Sequence, residues 1–288
     1  MFYTIKNDKL TVTVSDLGAE LLSVVKNGCE YIWVGSEDIW PSHAPLVFPI
    51  CGRLFESKYT YRGKEYEMNL HGFIRRSTLT VAEQTETSIC LMLTESEETK
   101  KEYPFDFELK VWYILNGDKL TNRFEIKNTG ADVLPATIGG HPGFNVPLEG
   151  GDFEDYYLEF DNECSPDKFL FSERCLITGK EGFPLEGGKI LRLRHDLFDD
   201  DAIFLSRADS AVTLKSEKTN RFVKVTFDDM PYLGIWHKPK MTAPYVCIEP
   251  WCGLPANDGV IEDMEKRADM FRIQPGSTKK AEFSMIFG

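Results

Sequence analysis

Apolar and polar positions alternate with a period of two along most of this chain. Leu10, Val12 and Val14 alternate with Thr11 and Thr13 behind the turn pair Asn7-Asp8. Asn27-Gly28, a strong two-residue hairpin signal, lies between Leu21–Val25 and Tyr31–Val34. Further strand pairs are expected on either side of Gly63, of Glu83–Glu86, of Asn116-Gly117-Asp118 and of Thr219-Asn220. The run closes with strands over Pro231–Trp236, Tyr245–Ile248, Met270–Gln274 and Lys279–Ile286. Helical candidates are few: Ser96–Tyr103, with Ser96 as cap and Pro104 as stop, and two turns over Val260–Arg267. The Gly-, Pro- and charge-rich stretch Glu149–Lys189 reads as long loops around one strand, Tyr156–Phe160. Regularly spaced strands with turn residues between them predict an all-β fold, a large antiparallel β-sandwich. With no linker, repeat or low-complexity run, residues 1–288 are expected to form a single domain.

Composition narrows the function classes. The 288 residues are 42% hydrophobic, with 20 Phe, 11 Tyr and 5 Trp, enough apolar area for a core without a disulfide or metal staple. Net charge is −13, and basic residues cluster no more densely than in pairs such as Arg75-Arg76 and Lys100-Lys101. That balance argues against a nucleic-acid partner and against anionic membranes, and no run is long enough for an apolar span. A small, neutral ligand is the favoured partner, although a few cations in one pocket would admit a sugar phosphate. Seven cysteines without a Cys-x-x-Cys pair indicate neither a disulfide framework nor a zinc ribbon. Together with an N-terminus lacking a secretion pattern, they point to the cytoplasm.

Two of the five histidines sit in unusual settings. His141 lies between Gly139-Gly140 and Pro142-Gly143-Phe144-Asn145, where glycine allows close backbone approach and proline stiffens the chain. His71 lies in Asn69-Leu70-His71-Gly72-Phe73, just after a strand. The more ordinary role for His141 is a turn histidine bonded to backbone. Glu249 is the best carboxylate partner: at the end of the buried strand Tyr245–Ile248 it would be desolvated and held still, which suits a general base. A solvent-facing edge glutamate is the alternative. Asp201, last of an acidic run entering a strand, can accept hydrogen bonds from a polar ligand or simply sit in a solvated turn. Arg53 interrupts an apolar stretch, so it is either used or bridges an internal carboxylate. Trp236 offers an aromatic face to a sugar ring, or core packing.

Taken in order and spacing, Gly52-Arg53, Asn69–Phe73, Gly140–Asn145, Asp201-x-x-Phe204 and Cys247-Ile248-Glu249-Pro250-Trp251 resemble the aldose 1-epimerase (galactose mutarotase-like) family, in particular its bacterial LacX-type branch. The resemblance runs from Leu17-Gly18-Ala19 to the final strands. It implies a β-supersandwich, no metal or organic cofactor, and interconversion of the α and β anomers of a hexose. It further implies Glu249 as general base and His141 as general acid, Arg53 and His71 on the ring-oxygen side and sugar hydroxyls, Asp201 anchoring a hydroxyl, and Trp236 near the substrate. His-Pro-Gly-Phe and Glu-Pro-Trp replace the His-Pro-Tyr-Phe and Glu-Thr-Gln of well-characterised galactose mutarotases, which leaves the sugar open.

The alternatives are a hexose-6-phosphate mutarotase served by Arg75, Arg76, Lys238 or Lys240, a non-catalytic carbohydrate-binding protein, and a metalloenzyme with His71, His141 and Glu249 as ligands. A monomer or homodimer is expected.

Overall fold

Period-two burial is carried furthest by Phe107–Asn116, where Phe107, Leu109, Val111, Tyr113 and Leu115 are buried and the residues between them are not. This strand pairs along its length with Lys119–Asn128 across a turn at Gly117. The computed structural model describes residues 1–288. In it the hairpin forms the middle of a nine-stranded sheet, in the order Ile190–Arg192, Tyr156–Phe160, Ala211–Ser216, Val223–Thr226, Thr278–Phe287, Lys119–Asn128, Phe107–Asn116, Ser88–Thr94 and Thr80–Gln84. A second sheet of eight strands runs Ile177–Gly182, Asp167–Phe171, Ile203–Ser206, Tyr232–Trp236, Tyr245–Trp251, Gly139–Gly140 and Leu46–Val47, with Gly143–Asn145 also on Tyr245–Trp251. Strand pairing is antiparallel throughout both, as the all-β expectation requires. Phe2–Lys6, Thr11–Ser15, Leu21–Lys26 and Cys29–Glu30 form a further four-stranded sheet.

One hydrophobic cluster joins 67 buried residues from Ile5 to Phe287 and fills the space between the large sheets. Tyr245–Trp251 shows how the eight-stranded sheet is divided between its faces. Val246 and Ile248 belong to the main core, whereas Tyr245, Cys247 and Trp251 project into two smaller clusters on the opposite face. The predicted close approach at Gly139-Gly140 is present: a Cβ on Gly140 would lie 2.5 Å from the Phe283 ring, and one on Gly139 equally close to Trp251.

Three expectations need correction. Val260–Arg267 is not helical, because long-range bonds take its backbone groups: Thr60 N–H donates to Glu262 O and Met264 N–H to Thr60 O, both at 2.9 Å. The strand opposite Leu21–Lys26 is Cys29–Glu30, not Tyr31–Val34. There the Glu30 carboxylate accepts from Val24 N–H and Ile32 N–H, ending the ladder, and the chain crosses to the other sheet, where Trp33 N–H donates to Gly143 O. Finally, Glu149–Lys189 holds Asp167–Phe171 and Ile177–Gly182 besides Tyr156–Phe160. Those two form a hairpin at the sheet edge, the inner strand half-buried and the outer mostly exposed, so backbone pairing and not apolar alternation specifies them. The other helix forms as expected, Glu97–Glu102, with Ser96 and Thr99 in a reciprocal capping box. No helix is long and apolar enough to cross a membrane.

Candidate active site

Glu249 lies inside its strand, not at its end. The strand Tyr245–Trp251 is buried at every position and flanked on both sides, so the Glu249 side chain leaves the sheet on the face away from the main core with only 2% exposure. Its cross-strand partner is Gly234. A Cβ there would stand 2.7 Å from the Phe204 ring and 3.2 Å from the Glu249 Cβ, so glycine clears the space around the carboxylate.

His141 approaches from the adjoining chain. Its N–H donates to Pro45 O, Gly143 N–H donates to His43 O, and Ile248 N–H donates to Pro142 O. The histidine loop is thus tied on one side to the Pro45 segment and on the other to the strand carrying Glu249. The imidazole Nε2 lies 3.3 Å from Glu249 Oε2, and Nδ1 is buried without a hydrogen-bond partner. Burial holds His141 down to about 3 and, helped by the nearby Asp201 charge, pushes Glu249 well above the usual carboxylate range. Both shifts favour neutral groups. The form that burial favours is thus a protonated carboxyl beside an unprotonated imidazole.

All six residues singled out in the sequence line one cavity of about 290 Å³: Arg53, His71, His141, Asp201, Trp236 and Glu249. His71, at φ +62°, accepts from Gly52 N–H through Nδ1 at 3.1 Å, which leaves the ring proton on Nε2. Burial, and then the His141, Arg75 and Arg53 charges, keep His71 neutral. Its ring stands edge-on to those of His141 and Trp251. Arg53 is exposed at the cleft and bridges no internal carboxylate, contrary to that alternative. Asp201, at φ +81°, accepts a hydrogen bond from the Cys175 thiol at 2.8 Å. Trp236 ends its strand opposite Cys247 and lies edge-on to Trp40.

Sequence reasoning missed Trp40, Cys175 and Phe171 as cavity residues. Trp40 tilts over the His141 ring at 5.2 Å and stacks on Tyr245. Its only sequence signal was a lone tryptophan in a polar loop. Among the four cations raised for a phosphate, Arg75 alone lines the cavity. Arg76 pairs with Glu102, and Lys238 reaches Asp38 O. Nor do the imagined metal ligands meet as a set: the group that converges is His141, Cys247 and Glu249, with Cys247 in the place imagined for His71.

The family model for aldose 1-epimerase matches residues 1–283. The chain belongs to the aldose 1-epimerase family. Within it, the chain is 36% identical to the plasmid-encoded protein LacX of Lactococcus lactis subsp. lactis and 35% identical to the chromosomal one, over 99% of each chain. Among solved structures, a galactose mutarotase related enzyme from Lactobacillus acidophilus matches with TM-score 0.96 and 36% identity, over 100% of this chain and 97% of that one. A galactose mutarotase-like protein from Lactobacillus casei ATCC 334 matches with TM-score 0.92 and 28% identity, over the whole of both chains. The supersandwich of this aldose 1-epimerase family member is therefore the galactose mutarotase-like fold.

Proposed function

We propose that this protein is an aldose 1-epimerase that interconverts hexose anomers by ring opening and reclosure. The observation that carries the reading is the buried His141–Glu249 contact of 3.3 Å at the wall of a cavity that also holds Arg53, His71, Asp201 and Trp236. Opening a cyclic hemiacetal requires one proton to leave the anomeric hydroxyl and one to reach the ring oxygen. A carboxylate and an imidazolium that share a single proton supply both.

When the closed sugar binds, Glu249 is the carboxylate and His141 the imidazolium. Glu249 takes the anomeric hydroxyl proton as the C1–O5 bond breaks, and His141 delivers its proton to O5. The products are the open aldehyde, a neutral Glu249 and a neutral His141, the same protonation state that burial favours in the empty cleft. Rotation about C1–C2 presents the other carbonyl face, and the reverse transfers close the ring as the other anomer. Arg53 and the neutral His71 serve as donors to the ring-oxygen side and hydroxyls, Asp201 accepts from a hydroxyl, and the Trp236 and Trp40 rings bound the site. Each positioned proton donor or acceptor is worth about 10²–10⁴-fold.

Arg75 favours a second substrate class, hexose 6-phosphates. It lines the cavity and has no ion-pair partner, in a protein whose net charge is −13 and where most arginines are paired. Polarimetry on free glucose and galactose and on their 6-phosphates tests both classes. Acceleration by wild type, lost in Glu249→Ala and His141→Asn, is the expected result. If Arg75 recognises phosphate, Arg75→Ala raises KM for the 6-phosphates and leaves free sugars unaffected. Sugar binding without any acceleration would instead make the protein a non-catalytic carbohydrate-binding member of the fold.

A further inference from the structure

Cys247 has no part in the proposed proton transfers, yet it lies directly beside them. Cys247 and Glu249 are two residues apart on one strand, so their side chains leave the sheet on the same face. The His141 imidazole enters from the adjoining loop, and one donor atom from each of the three lies within 4.8 Å of the other two. Nitrogen, sulfur and oxygen donors in this number suit zinc, whose bonds of about 2.0–2.3 Å to them leave tetrahedral donors some 3.3–3.8 Å apart. Closure onto a metal requires a contraction of at most about 1.5 Å from a spread within 4.8 Å. His141 and Glu249 face the cleft, which provides an entry path and an open fourth position, while Cys247 lies behind them.

We propose that His141, Cys247 and Glu249 form a binding site for a thiophilic divalent cation such as Zn²⁺, and that the ion, once bound, blocks the acid–base pair. The inference uses the geometry of the three side chains, and its inhibitory consequence rests on the epimerase reading. The proton balance is explicit. Before binding, an ordinary thiol is protonated at neutral pH, and the carboxyl–imidazole pair with both groups in their neutral forms carries one further proton on the carboxyl. Coordination by thiolate, carboxylate and neutral imidazole releases both protons and leaves a site of zero net charge, a favourable outcome in a dry interior. The metal then occupies the imidazole lone pair and the carboxylate oxygen that proton transfer needs.

The test is Zn²⁺ titration of chelator-stripped full-length protein by calorimetry in two buffers of different ionisation enthalpy, with Cys247→Ala alongside. Cys247 packs with Trp33, Ala243 and Tyr245, and its truncation to alanine removes only the sulfur. Wild type is expected to bind one equivalent with release of about two protons, and Cys247→Ala to bind at least ~100-fold more weakly. Substitution with Co²⁺ is expected to give a thiolate-to-metal charge-transfer absorption that Cys247→Ala lacks. In mutarotation assays Zn²⁺ inhibits wild type, while Cys247→Ala keeps the basal rate and resists the metal. Equal Zn²⁺ affinity in the two proteins, as binding at the neighbouring His195–His237 pair would give, overturns the proposal. So does the lack of stoichiometric binding by wild type. Zinc bound through Cys247 in a protein that accelerates no anomer exchange would uphold the site and reject the epimerase reading.

Discussion

Burial moves Glu249 and His141 in opposite directions. In water each would titrate near its usual value. Removed from water, the carboxyl rises and the imidazole falls, which favours the neutral form of each. Because burial holds His141 down to about 3, the pH–rate profile should lack the inflection near ~6.5 that an exposed histidine gives. A sigmoidal loss centred near ~6.5 would contradict this proton assignment. Asp201 belongs to the same scale. Its carboxylate is held by the Cys175 thiol, itself kept neutral by a shift up to about 11. Asp201→Asn is expected to raise KM roughly tenfold or more, the loss of about one charged hydrogen bond, with a smaller change in kcat. Steady-state kinetics separates the two.

Elements explain how the site is tied together, and also which parts were legible beforehand. Six candidate residues converge because the chain signals around them were local: a glycine pair, a proline, a carboxylate in an apolar strand. The hairpin that brings Phe171 was not legible, since Asp167–Phe171 is half-buried without alternating apolar and polar residues and its partner Ile177–Gly182 is mostly exposed. Trp40 was missed because a loop residue reaches the cleft by tertiary path alone. Val260–Arg267 misled because its helix-like composition loses to pairing with Thr60, and because Arg267 is buried in ion pairs to Glu262 and Asp269. Gly234 gives the sharpest element-scale prediction. Gly234→Ala forces a Cβ against Phe204 and should cost roughly 1–3 kcal/mol by denaturant titration while lowering activity. Ser96→Ala, which removes the helix cap far along the chain, should cost about 1 kcal/mol with activity unchanged.

At the level of the whole molecule, we propose that residues 1–288 act as one folding unit, because one core cluster runs from Ile5 to Phe287 and the candidate residues lie on strands and loops from 53 to 249. Coincident denaturation curves from tryptophan fluorescence and far-ultraviolet dichroism are expected, and separated midpoints would show two units. The buried histidines make this unit acid-sensitive. His71, His141 and His237 all bind protons more weakly folded than unfolded, His141 at about 3 and His237 at about 4. As pH falls below ~6.5, the unfolded chain gains protons that the folded one cannot, and stability drops until the folded values are reached. Glu249 opposes this, because its raised value favours the folded state increasingly as pH falls toward 4.5. His195 is lowered as well, so the histidines outnumber the one raised carboxyl, and stability is expected to fall between pH 7 and pH 5. Thermal melts at pH 7 and pH 5 measure it.

The acidic exterior and the arginine-bearing cleft fit together at this scale: Arg53 and Arg75 face the cavity without carboxylate partners, so a polar ligand finds its donors there. Under the proposed mechanism Glu249 and His141 exchange protons with a sugar. Magnetisation transfer between the α and β anomeric protons of glucose, galactose and their 6-phosphates reads that exchange directly at equilibrium. Wild type should exchange the anomers of at least one of these sugars at least ~100-fold faster than buffer, and Glu249→Gln should return the rate to that of buffer. Undiminished exchange in Glu249→Gln would show that Glu249 is not the base.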